Sequence, residues 1–196
     1  MSETTRIPAA EITGPCGYLL KRFSRKMLGE VPEGAAVMWH NRPVLMSLSG
    51  IGRKVQKWDQ LDANLKSFAH MAVAAQIGCP FCLDFGYFQA HNDGLDEAKA
   101  SQVPRWRESA VFTPLEREVM EYAEAMTHTP PRVTDEMSAH LLDQLGAAGL
   151  IELTAVVGFA NLTARGNVAM GITSQGFSRA CALPLAEPSP GYATSS

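Results

Sequence analysis

Apolar residues recur every three or four positions along most of this chain, and the alternation expected of half-buried strands is nearly absent. Residues 18–28 place Leu19, Leu20, Phe23 and Met27 on one face with Lys and Arg opposite, and Gly29 and Pro32 then stop the pattern. This predicts an amphipathic helix of about three turns. A short helical piece over 35–40 precedes Pro43, which suits the first turn of a segment where Leu45, Leu48, Ile51 and Val55 share a stripe. Asp62 is placed to cap a helix running to Ile77, with Leu65, Phe68, Ala69, Ala72 and Val73 at helical spacing and Gly78 as its stop. Pro80 then opens another helix, which closes at Gly94.

Asp96 can cap a short helix that Pro104 ends. Thr113-Pro114-Leu115-Glu116 carries the cap, the proline and the reciprocal Glu of a capping box, and its helix should reach Thr127. Pro130 and Pro131 interrupt the chain, Thr134 caps the next piece, and Gly146 closes it. The stretch 147–171 is the most apolar and predicts a central, largely buried helix, with Asn161, Thr163, Arg165 and Asn167 as a polar group near its end. These patterns predict an all-α, single-domain bundle: an extension over 1–17, the helical domain over 18–177, and a loose tail over 178–196.

Composition narrows the classes of function. With 196 residues, 46% hydrophobic and 19% charged, the chain can bury one proper core. No uninterrupted run of about eighteen apolar residues predicts a membrane span, and the first ten residues lack the apolar stretch of a secretory signal. A cytoplasmic location without a membrane partner is expected. A net charge of −3, with one short basic stretch at Lys21, Arg22, Arg25 and Lys26, gives nucleic acid no evident footprint.

Four cysteines are present, and only Cys79 and Cys82 have motif spacing. A lone C-x-x-C in a reducing compartment reads as catalytic or metal-binding. The thiolate is the reactive form, and the unpaired N–H groups at a helix start lower a thiol pKa from about 8.5. A second sulfur one turn away can then form and break a disulfide. The expected chemistry is thiol–disulfide exchange, or peroxide reduction through a sulfenic acid. Two other readings stand beside it. The cysteines could be buried filler. They could also bind zinc, which needs two more ligands, such as Cys16 and Cys181 or His70 and His91, brought together by folding.

The segment 61–98, with Gly-Cys-Pro-Phe-Cys-Leu-Asp-Phe-Gly and a following helix ending His-Asn-Asp-Gly-Leu, resembles the carboxymuconolactone decarboxylase-like family, which includes the alkyl hydroperoxidase D-like proteins. Phe112-Thr113-Pro114-Leu115-Glu116 and Leu150-Ile151-Glu152-Leu153-Thr154 extend the likeness over about 19–177. The resemblance implies an all-helical fold, homo-oligomers such as trimers or hexamers, no bound cofactor, a small peroxide or protein disulfide as substrate, and an external dithiol as electron donor. It also implies a relay of Glu, His and His around the cysteines, whose positions here hold Ser67, Phe81 and Gly86. Only Cys79 and Cys82 match that pattern.

Replacement acid–base groups are therefore sought among neighbours. His70 lies one turn beyond Ser67, and Asp84 follows Cys82 within the first turns of its helix, so both join the cysteines as candidate catalytic residues. A core histidine and a helix-terminal acceptor are their plainer readings. Glu152 lies in an apolar helix and needs a partner, with Arg165 or His70 as the candidates. Against the oxidoreductase stand a non-redox lyase of the decarboxylase type and a non-catalytic helical oligomer with structural cysteines.

Overall fold

The computed structural model describes residues 5–189, in which every regular element is helical. The helices are α1 (Gly14–Leu28), α2 (Glu33–Met38), α3 (Arg42–Val55), α4 (Ala63–Ile77), α5 (Pro80–Asn92), α6 (Glu97–Ala100), α7 (Pro114–Thr127) and α8 (Asp135–Met170). Their boundaries follow the local chemistry of the sequence. The Asp62 carboxylate accepts from the Asn64 and Leu65 amides, the Thr113–Glu116 capping box is complete, and the Thr134 hydroxyl accepts from the Met137 amide. Gly146, at φ 68° and ψ 171°, breaks the path of α8, so the stretch before it and the apolar one after it are separate rods.

The bundle is organised around α4. Residues 71–75 are buried at every position, which requires neighbours on all sides; α5, α7 and α8 supply them. Phe68 meets the Phe112 ring edge-on at 5.7 Å in this core. By length and composition α8 could cross a bilayer, but Gly146 interrupts it; its second part packs one face against α4 and α7 and is not buried all round, since Ile151 and Leu162 are 69 and 54% exposed.

Glu152 enters the core from α8, and its partner differs from both sequence candidates. One oxygen accepts from the Gln60 amide at 2.8 Å, and the other lies 3.4 Å from the Lys66 ammonium of α4. Arg165 instead donates to the Thr127 carbonyl at 2.6 Å. Lys66, nearly a whole helix away from the cysteines along α4, is thus committed to holding a buried charge.

Two segments depart from the sequence expectation. Helix α1 is turned with its apolar stripe outward: Tyr18, Leu19, Phe23 and Met27 are 64, 63, 64 and 56% exposed, while Gly17 and Ser24 face inward. The stretch expected to be loose from residue 178 is tied down as far as Ser189. Glu97 accepts from the Ala182 and Leu183 amides, Tyr87 donates to the Leu183 carbonyl, and the Ala186 amide donates to the Ser101 carbonyl. The remainder of that tail lies outside the described residues. At the other end Arg6 donates to the Val168 and Ala169 carbonyls and so caps α8.

Breaking the buried pair is costly because a bare charge is left behind. Lys66→Met should lower stability by about 2–4 kcal/mol in denaturant unfolding, and adding Glu152→Gln should restore part of the loss.

Candidate redox site

The corner between α4 and α5 builds the site. Gly78 adopts φ 73° to end α4, the Cys79 amide donates to the Ala74 carbonyl, and Cys79 takes an extended N-cap conformation before Pro80 opens α5. The Cys79 sulfur thereby occupies the position where a Ser or Asp side chain would cap, and accepts from the Cys82 amide at 3.2 Å. Cys79 and Cys82 are joined by a disulfide, with their Cα atoms 5.3 Å apart. Both sulfurs thus sit at the positive end of α5.

Their surroundings are unequal. Cys79 is fully buried and Cys82 is 4% exposed. Asn167, near the end of α8, donates from Nδ2 to the Cys82 sulfur at 3.4 Å. This residue was visible in the sequence only as one of several polar positions late in the most apolar helix, and nothing local linked it to residue 82. Phe81, between the cysteines, stacks on Phe85 and meets Phe177 edge-on, and Phe88 also packs on Phe177. Phe88 and Phe177, with Leu28 and Arg179, border a cleft of about 450 Å³.

His70 reaches the same helix through a gap left by glycine. A Cβ built on Gly86 would lie 3.1 Å from His70 Nδ1 and 3.3 Å from Met71, so the imidazole fills the space a larger side chain at 86 would claim. Gly86 is one turn after Cys82 on α5, which brings the ring to the cysteine-bearing helix. Burial lowers the His70 pKa to about 4, so the ring is neutral at physiological pH.

Asp84 is occupied differently. Its carboxylate accepts from the Ser174 hydroxyl at 2.7 Å and from the amides of Gly176, Phe177 and Ser178 at 2.7, 3.0 and 2.7 Å. Burial pushes its pKa up, but the hydrogen bonds from Ser178, Ser174 and Phe177 outweigh it and hold the group below the usual carboxylate range. Asp84 therefore clasps the segment that carries Phe177 against α5.

Of the further zinc ligands the sequence offered, His70 is the one that reaches the cysteine-bearing helix. Cys16 is exposed on α1, and Cys181 lies with His91 and Glu97, their donor atoms within 4.8 Å of one another. There His91 Nδ1 is 3.0 Å from Glu97, and burial followed by the Glu97 and Asp84 charges pushes the Cys181 thiol up to about 11. His91 is thus engaged in a side-chain pair with Glu97.

An all-helical bundle with a cysteine pair at a buried helix start defines the class, and comparisons with known proteins place the chain within it. The sequence profile of the Carboxymuconolactone decarboxylase family matches residues 48–125. An uncharacterised protein of Escherichia coli (strain K12), YnjA, is 35% identical over 158 residues, which cover 79% of this chain and 86% of that protein. The chain belongs to the carboxymuconolactone decarboxylase family. Among solved structures, the debrominase Bmp8 in complex with 2,3,4-tribromopyrrole superposes with a TM-score of 0.76 at 19% identity, covering 92% of this chain and 95% of that one. A peroxidase-related protein with an alkylhydroperoxidase AhpD core, from Ralstonia eutropha JMP134, gives 0.77 at 16% identity, covering 90% and 96%. These likenesses confirm the expected alkyl hydroperoxidase D-like fold.

Two expectations follow. Because the His70 pKa is lower in the folded protein than its ordinary 6.5, the unfolded chain binds the extra proton first; stability present above pH 6.5 is lost as pH falls toward about 4. In thermal melts across that window, His70→Gln should flatten the slope. Asp84→Asn replaces an acceptor with a competing donor at the clasp; it should cost about 1–3 kcal/mol and speed amide hydrogen exchange at residues 176–178.

Proposed function

We propose that this protein is a thiol–disulfide oxidoreductase that reduces a small hydroperoxide or a protein disulfide with Cys79 and Cys82, in the cytoplasm and without a bound cofactor. The observation that carries the reading is the cysteine pair itself, bridged at the start of α5 with a separate N–H donor on each sulfur. Such donors favour a thiolate over a thiol. Cys82 is the sulfur that meets substrate, since it has the residual exposure and the Asn167 amide; Cys79, fully covered, resolves the intermediate.

With a hydroperoxide, the Cys82 thiolate attacks the distal oxygen and the O–O bond breaks. The alkoxide takes a proton and leaves as an alcohol, and Cys82 becomes a sulfenic acid. The Cys79 thiolate then attacks the Cys82 sulfur, water leaves, and the disulfide closes. An external dithiol reduces that disulfide by two exchange steps and is itself oxidised. His70 is the proton-handling group of this reading. In the oxidised protein only burial acts on it, whereas a thiolate formed one turn away would favour its protonated form. Asp84 serves as a positioning residue through its clasp on Phe177.

A second substrate class is favoured by the phenylalanines beside the 450 Å³ cleft and by the likeness to a debrominase. A halogenated aromatic would give up its halogen to the Cys82 sulfur while its ring carbon takes a proton. Cys79 would then expel halide and close the same disulfide. The reading also includes a homo-oligomer, trimer or hexamer, which the outward apolar face of α1 supports.

Turnover of cumene hydroperoxide with a thioredoxin-type donor tests the proposal, with bromide release from a bromopyrrole as a parallel assay. Cys82→Ser should lose activity on either substrate by at least about 10³-fold, as expected for removal of a nucleophile. Cys79→Ser should stop after one turnover and leave a sulfenic acid at Cys82 that dimedone traps. Full multiple-turnover activity in Cys82→Ser would defeat the reading.

A further inference from the structure

Helix α1 is an amphipathic helix whose apolar side has no cover among the described residues. Leu19, Phe23 and Met27 follow one another at intervals of four and stand outward, each more than half exposed. Lys21, Arg22, Arg25 and Lys26 lie in the same helix, and between Gly14 and Leu28 there is no acidic residue. Among the described residues, Arg22, Arg25 and Lys26 form no ion pair within the chain. A strongly basic helix on a chain of net charge −3 means that the acidic residues are gathered elsewhere.

One place where they gather has the complementary form. Between α7 and the first part of α8 lies a groove of about 360 Å³, with Met137 on its floor above the buried Leu141, and with Glu118, Glu121, Glu136 and His140 around them. Glu121 and Glu136 likewise form no ion pair within the chain among the described residues. An apolar stripe flanked by cations thus has a counterpart in an apolar floor flanked by carboxylates, the arrangement by which an amphipathic helix seats in a groove.

We infer that α1 of one copy of this chain docks into the α7–α8 groove of the next copy. The inference rests on the homo-oligomer reading and specifies its surface. Because the two surfaces are different patches of the same chain, the contact repeats head-to-tail, and where the rotation between copies closes, the repetition forms a ring. A ring of this kind covers every outward α1 and leaves no groove open, which limits the assembly to a fixed number of copies.

Light scattering of the full-length wild-type protein at micromolar concentration, coupled to gel filtration, should show a closed oligomer. The triple reversal Arg22→Glu, Arg25→Glu and Lys26→Glu should yield monomer, as should Glu118→Lys, Glu121→Lys and Glu136→Lys, with helical circular dichroism unchanged in both. Carrying all six reversals in one chain should restore the oligomer, which separates a lost contact from a damaged fold. A wild-type oligomer whose mass neither triple reversal alters would overturn the proposed surface while leaving the homo-oligomer reading standing. A monomeric wild type would overturn both. A monomer that sediments with phosphatidylglycerol vesicles, and ceases to do so after the α1 reversal, would assign the helix to anionic lipid.

Discussion

The site depends on one constraint: the first N–H groups of a helix have no partner within that helix, and at α5 one of them belongs to Cys82, which is buried in the protein interior. Most proteins answer that demand with an oxygen. Here the Cys79 sulfur takes the capping position, so the need of the backbone for an acceptor and the need of a thiol for a donor are met by the same contact. Gly78 turns the chain tightly enough to bring the sulfur there, and Pro80 has no N–H to satisfy. A capping sulfur bonded to its neighbour one turn on ties the start of α5 together twice, by a hydrogen bond and by a covalent bridge.

The covering around this corner sets what can approach. Phe81, Phe85 and Phe177 form an aromatic wall beside the pair, and α4 seals the opposite side with residues buried all around. His70 reaches α5 from α4 only because residue 86 lacks a side chain, while the relay positions implied by the family resemblance hold Ser67, Phe81 and Gly86.

Most of the fold was legible because it is written locally. Caps at Asp62, Thr113 and Thr134, stops at Gly78 and Gly146, and the all-round apolar character of α4 are each decided within a few residues. The cysteine pair was legible for the same reason. What could not be read were contacts between positions far apart: Asn167 with Cys82, Lys66 with Glu152, and Asp84 with residues 174–178. Periodicity likewise identified α1 as two-sided without saying that its apolar side would face out, since a stripe of Leu19, Phe23 and Met27 looks the same whether its cover is its own core or another molecule.

The clasp made by Asp84 has a bearing on how the protein is made. Its four partners lie between residues 174 and 178, about ninety positions later than the carboxylate they satisfy. During synthesis the α4–α5 corner therefore emerges from the ribosome long before the segment that will close over it, and for that interval Asp84 keeps its water and Phe81 its exposure. The covering of this corner is therefore a late tertiary event that waits for residues 174–178, rather than a local one that α4 and α5 complete between themselves.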